Sequence, residues 1–196
     1  MFDCVQFPRR GWVHRNRFQT ASGASDWLTL PIAKAPQDVL IRDLTFANNA
    51  HDQIEAAAQR FPALKHALHT GHPLAERILA INSDDVATYL IALVTEFAGR
   101  LGFERKVVRS SSLSVPGELR AQDRVIAILH ALGATSYVNP SGGRELYDHA
   151  TFGANGLELQ FLAPYTSSMD SILARMLKGP IDAIADEIRR ETILMA

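Results

Sequence analysis

At 196 residues with 47% hydrophobic content, the chain can fill one sizeable core, and a single domain over residues 1–196 is expected. A formal net charge of −1 gives no global attraction to nucleic acid or to an acidic membrane, so an anion must be held by a local patch. The lone cysteine, Cys4, excludes an internal disulfide framework and a cysteine-based zinc site, and no apolar run approaches the roughly 18–20 residues that span a bilayer. The start also lacks a signal-peptide core, so a cytoplasmic protein with no membrane span, no metal and no cofactor is expected.

Residues 2–7, FDCVQF, read as a short strand closed by Pro8. Residues 27–32, WLTLPI, and 39–46, VLIRDLTF, read as two more, with the turn-like TASGAS segment fitting a hairpin or meander. A helix is expected over about 51–61. From Ser83, the positions Val86, Tyr89, Leu90, Leu93, Val94, Phe97 and Leu101 step by three and four, which places one wide apolar stripe on a helix ended by Gly102. Ser83 is the expected N-cap, with Asp84 and Asp85 suiting the positive helix start. KVVRSS at 106–111 then reads as a strand, 119–132 as a helix ended by Gly133, TSYVN at 135–139 as a strand, and LELQFL at 157–162 as a third. Strand–helix–strand alternation implies parallel pairing. Two helices, about 167–178 and 180–194, form the tail. The fold class is α/β: a small parallel or mixed sheet near residues 106, 136 and 158, extended by the N-terminal strands, flanked by helices and followed by a helical C-terminal tail.

Three stretches carry candidate chemistry. Residues 5–18, VQFPRRGWVHRNRF, pack Arg9, Arg10, Arg15 and Arg17 with His14 and Trp12 and contain no acid. Guanidinium groups offer a planar fork of donors that matches phosphate or carboxylate, and clustering them is costly without a compensating anion. A basic surface loop around a buried aromatic would have the same composition. The second stretch is Ser110, Ser111 and Ser112 after Arg109, at the end of an expected strand, where open α/β sheets bind ligands. The third is Ser141, Gly142 and Gly143 in NPSGG, following the next expected strand at a helix start. If the two strands are parallel neighbours, both loops lie on one rim. Asp148 and His149 have the chemistry of general bases, though Asp148 equally suits a helix start, and no residue is assigned a catalytic role. His66, His69 and His72 fit a solvated surface better than a metal site, because Gly71 and Pro73 break the helix that would align them.

The run Gln6, Phe7, Arg9, Arg10, Trp12 and His14 to Phe18, followed by WLTLP at 27–31, resembles the WbqC-like protein family, whose members carry QF-x-KR-x-W-x-NRNRI and then WLTVPV. The similarity continues through Ser110 to Leu113, Asp123 and Arg124, Gly133 to Tyr137, Ser141 to Gly143, Leu146 to Asp148 and Phe152, reaching Ser167 and Asp170. The resemblance implies a role in bacterial surface-polysaccharide synthesis of the O-antigen type. It further implies a phosphorylated or nucleotide-linked sugar as ligand, an acyl carrier as partner, and transfer of an acyl or aminoacyl group to an amino sugar. The expected ligand-binding residues are Arg10, Arg15, Asn16, Arg17, Ser110, Ser111, Ser141, Gly142 and Gly143. The family's HQPxYxPWxGYF opening is expected to be missing, and Ala163, Pro164 and Tyr165 stand where members carry a His-Pro-x-Tyr stretch. Those departures favour the alternative, a non-catalytic ligand-binding or assembly subunit. RNA binding through the arginine–aromatic stretch is disfavoured at this net charge.

Overall fold

A computed structural model describes residues 1–168 and 170–195. It is a mixed α/β structure that divides into two compact units, Met1–Val108 with Met169–Ala185, and Arg109–Ser168 with Asp186–Ala196.

The first unit opens on an irregular segment and a hairpin. Strand β1 (Arg15–Gln19) pairs antiparallel with β2 (Ser25–Thr29), and the pairing sets Arg17 opposite Trp27 and Phe18 opposite Asp26. The connection turns at Gly23, whose φ of 82° is the left-handed conformation that glycine adopts without a side-chain clash. Side chains alternate across the hairpin. Phe18 and Leu28 are buried on one face, whereas Arg15, Arg17, Trp27 and Thr29 share the other. Four helices follow: α1 (Ala50–Ala58), α2 (Pro62–His69), α3 (Pro73–Leu79) and α4 (Val86–Arg100). Pro62 and Pro73 each occupy the start of a helix, where a missing amide hydrogen costs nothing. The unit's core gathers Phe18, Leu44, Ile54, Phe61, Leu74 and Ile78, all nearly inaccessible, with the Phe18 and Phe61 rings 5.5 Å apart. Burying each such side chain contributes ~1.5–3 kcal/mol.

Two of the expected strands fail here. Residues 2–7 and 39–46 do run alongside one another, with Phe7 donating to the Val39 carbonyl at 2.8 Å and Ile41 to that of Val5 at 3.0 Å. Only one bridge forms, Gln6 to Leu40, before Ile41–Asp43 turns into a 3-10 helix. Pro8 and Pro36 lack the amide hydrogens that would extend the ladder. The helix expected from Ser83 begins later than the sequence suggests. Asp85 is its N-cap, its carboxylate accepting from Ala87 N at 2.8 Å and Thr88 N at 3.1 Å, while Ser83 Oγ accepts from the Asp85 amide.

In the second unit, α5 (Ala121–Ala131) leads to β3 (Ser136–Asn139). A 3-10 segment (Ser141–Leu146) and α6 (His149–Ala154) then cross to β4 (Glu158–Leu162), parallel to β3. Leu159 and Phe161 of β4 are buried with Phe152, Val125, Ile126 and Leu129. Tyr137 stacks on Phe152 at 5.8 Å and meets Tyr147 edge-on at 5.5 Å. After α7 (Ile172–Met176), which belongs to the first unit, and α8 (Ile181–Glu191), which runs from the first unit into the second, the short strand β5 (Leu194–Met195) pairs antiparallel with β4. The tail is therefore helical only to Glu191, and the expected helix 167–178 is confined to Ile172–Met176, with residue 169 lying outside the described residues.

The expected strand at 106–111 does not form. Residues 106–109 belong to no strand among the described residues, and Ser110–Ser112 is a 3-10 turn. Val107 is exposed, so a β-branched sequence here has no cross-strand neighbours to pack against, and propensity without packing does not make a strand. The parallel core is β3 and β4, and the N-terminal strands form a separate two-stranded sheet.

Candidate functional site

The outward face of the hairpin brings together a group that the sequence presents as two separate stretches. Arg15 Cζ lies 4.1 Å from the centre of the Trp27 ring, and Arg17 Cζ lies 4.7 Å from Trp27 and 5.3 Å from Trp12. The two tryptophans meet edge to face at 4.6 Å. Trp12 is 63% exposed, unusual for so large an apolar group. The arginines here face aromatic quadrupoles, which offset part of their mutual repulsion.

The individual arginines differ. Arg15 donates from Nε to the Gly11 carbonyl at 2.9 Å and from Nη2 to the Arg10 carbonyl, tying down the turn that leads into β1. Arg9 donates to the carbonyls of Ala35 and Pro36 at 2.7 and 2.6 Å. Arg10 contributes its backbone carbonyl to the latch and is exposed. Asn16 Oδ1 accepts from the Arg17 amide at 2.7 Å. Arg17 is exposed and also lines a polar cavity of about 160 Å³ together with Ser25, Ser171, Arg175 and Lys178. Asp170 is the acid among these cations.

On another side of the hairpin lies a cavity of about 380 Å³. Leu90, Leu93, Val94, Phe97 and Ala98 of α4 form one wall, and His14, Arg15 and Asn16 stand at the hairpin end. The His14 ring packs edge-on against Phe7 at 4.8 Å, and its Nδ1 is buried without a hydrogen-bond partner among the described residues. Burial, reinforced by the Arg15 charge, pushes the imidazole pKa below its ordinary 6.5.

The serine and glycine stretches belong to the second unit. Ser110 is buried, and Ser112 Oγ donates to the Arg109 carbonyl at 2.8 Å. Because no strand precedes them, these serines do not occupy a strand-end loop on the rim of the β3–β4 sheet. Ser141, Gly142 and Gly143 do follow the carboxyl end of a parallel strand, β3. Gly142 opens onto unoccupied space, whereas a Cβ on Gly143 would run into the Asn139 side chain. Asp148 caps α6: its carboxylate accepts from Thr151 N at 2.7 Å and Thr151 Oγ1 at 2.6 Å, and these bonds hold its pKa below the ordinary 3.8. A carboxylate stabilised as the anion is a weak base. His149 packs its ring 5.8 Å from Phe161, beside Arg144 at 5.0 Å from the same ring.

Of the three histidines considered for a metal, His66 and His69 sit in the last turn of α2, while His72 Nδ1 accepts from the Leu74 amide to cap α3. Among the described residues, no helix is long and apolar enough to cross a membrane. In the sequence, Trp27 is legible as part of a strand and of the family-like WLTLP run but not as a partner of the arginines, and Arg175 and Lys178 are not marked as site residues at all. The hairpin register was the signal for Trp27, since a turn over TASGA sets it across from Arg17. Nothing local marked the other two.

A search of curated proteins and a search of solved structures each return no match to this chain. The sequence profile of one family does match, over residues 1–169, and those residues contain the whole hairpin face together with the Ser141–Gly143 turn. The chain belongs to the WbqC-like protein family.

Proposed function

We propose that the protein serves in surface-polysaccharide biosynthesis by binding a phosphate- or nucleotide-linked sugar on the outward face of the β1–β2 hairpin. The observation that carries this reading is the position of Arg17, which lies over two tryptophan rings and also lines a polar cavity with Arg175, Lys178, Ser25 and Ser171. Cations and hydroxyls at such a cavity suit phosphate oxygens. The exposed Trp12 ring beside it suits a sugar face or a base. Arg15 and Asn16 hold the hairpin in shape next to this site, and Arg10 anchors the Arg15 latch. In the second unit, the open Ser141–Gly142–Gly143 turn after β3 is a ligand-contact candidate in its own right, and Ser110 and Ser111 lie in the separate 3-10 turn at 110–112.

The reaction class is acyl transfer to an amino sugar. The amine attacks a thioester carbonyl, an amide bond forms as the carbon–sulfur bond breaks, and the amine's proton leaves with the thiol. A thermal-shift screen of nucleotide sugars, sugar phosphates and free nucleotides tests the binding. The expected result is a rise in Tm with a phosphorylated sugar that is lost in Arg17→Ala and in Lys178→Ala. Losing one charged hydrogen bond weakens affinity by about tenfold or more. No response to any phosphorylated ligand, or a response indifferent to both substitutions, refutes the site.

A further inference from the structure

The first unit holds a second cavity that phosphate binding does not use. Its volume is about 380 Å³, and its walls come from α3 through Ile78, from α4, from the hairpin and from α7 through Ile172 and Leu173. The apolar stripe of α4 points into it. Leu90, Leu93 and Ala98 are only half-buried and Val94 is 60% exposed, although their spacing is that of a core-facing helix. The one nearby phenol, Tyr89, donates its hydroxyl to the Ile78 carbonyl at 2.5 Å, so it offers the cavity a ring. Polar groups gather at one end, where His14, Arg15 and Asn16 belong to the hairpin.

We propose that this cavity binds a linear fatty acyl chain, with its carboxyl-derived head at Arg15 and Asn16. The proposal rests on the reading above for the reaction class, and on this cavity for the binding. An apolar slot with a cation at one end is complementary to an amphiphile. At roughly 30 Å³ per water-sized group, a volume of 380 Å³ holds on the order of twelve methylenes. The extended alkyl chain is the occupant that fits both the volume and the one-ended polarity.

Isothermal titration of the full chain with hexanoate, octanoate, decanoate and dodecanoate, below their micellar concentrations, tests the proposal. Affinity is expected to tighten about fourfold per added methylene until the slot is full, then to level off. Ala98→Phe, which shortens the slot, is expected to move that limit to a shorter chain, and Leu93→Trp to abolish binding, both with unchanged circular dichroism. Decanoyl-N-acetylcysteamine distinguishes the source of the head group: tighter binding than decanoate marks an acyl-donor site, and weaker binding a fatty-acid site. Absent or length-independent binding overturns the inference, and so does a length limit untouched by Ala98→Phe. If both substituted chains fail to fold, the length series on the unaltered protein still decides. Nucleotide-sugar stabilisation that persists without chain binding overturns this inference only. Chain binding without any phosphorylated-sugar response overturns the sugar site only.

Discussion

The Arg15–Trp27 pair allows a test of how the hairpin face is held together. Trp27 receives one guanidinium at 4.1 Å, another at 4.7 Å, and the edge of Trp12 at 4.6 Å. A cation–π contact at a partly exposed site contributes ~0.5–1 kcal/mol, and an aromatic pair ~0.5–1.5 kcal/mol. Trp27→Val removes all three while keeping a residue suited to a strand, so the expected destabilisation is about 2–3 kcal/mol. Arg15→Met removes one cation–π contact and also the two bonds to the carbonyls of Gly11 and Arg10. Each single substitution therefore costs more than the contact they share. The double-mutant cycle isolates that contact, and the expected coupling is ~0.5–1 kcal/mol. Urea unfolding followed by far-UV circular dichroism measures all four corners without relying on tryptophan emission. A coupling indistinguishable from zero refutes the stack as an energetic unit, and Arg15 would then act only through its backbone bonds.

Three further outcomes are expected. Asp85→Ala deprives α4 of a cap that accepts from Ala87 N, Thr88 N and Thr88 Oγ1, and urea midpoints should report a loss of about 1–2 kcal/mol, with Asp85→Asn recovering most of it. His14 has a folded-state pKa below its unfolded value of 6.5, so the unfolded chain binds more protons and stability falls as pH drops from about 6.5 toward the folded value. In His14→Phe that slope should flatten just below pH 6.5, and an unchanged slope would assign it to another group. Gly142→Ala should leave stability within about 0.5 kcal/mol, since its Cβ meets nothing, whereas Gly143→Ala must displace the Asn139 amide and should cost about 1–3 kcal/mol. Equal Tm values for the two glycine variants would contradict the packing of that turn.

The elements legible in the sequence are those whose signal is local and repeated. The three-and-four spacing of α4 needs no partner to be recognised, and neither do the helix over 119–132 with its stop at Gly133 or the alternation that yields β3 and β4. The start of α4 moved from Ser83 to Asp85 because two carboxylate-to-amide bonds outcompete one hydroxyl, a choice that local sequence leaves open. Pro62 and Pro73 mark helix starts, and Pro73, which breaks one helix in the sequence, also opens the next.

What a strand becomes depends on its neighbours, and that information is not local. Residues 106–111 have the β-branched composition of a strand but form no ladder among the described residues, and residues 39–46 lose theirs where Pro8 and Pro36 lack amide hydrogens, while Leu194–Met195 acquires a strand only because β4 has an edge to offer. The site divides along the same line. The arginine cluster was evident from composition, because charge density can be counted along the chain. That Trp27 lies across from Arg17, that Arg175 and Lys178 line a cavity with it, and that half of the α4 stripe faces an open volume were decided by tertiary structure. Register and packing set distances between residues far apart in sequence, and hydrophobic periodicity alone carries no such distances.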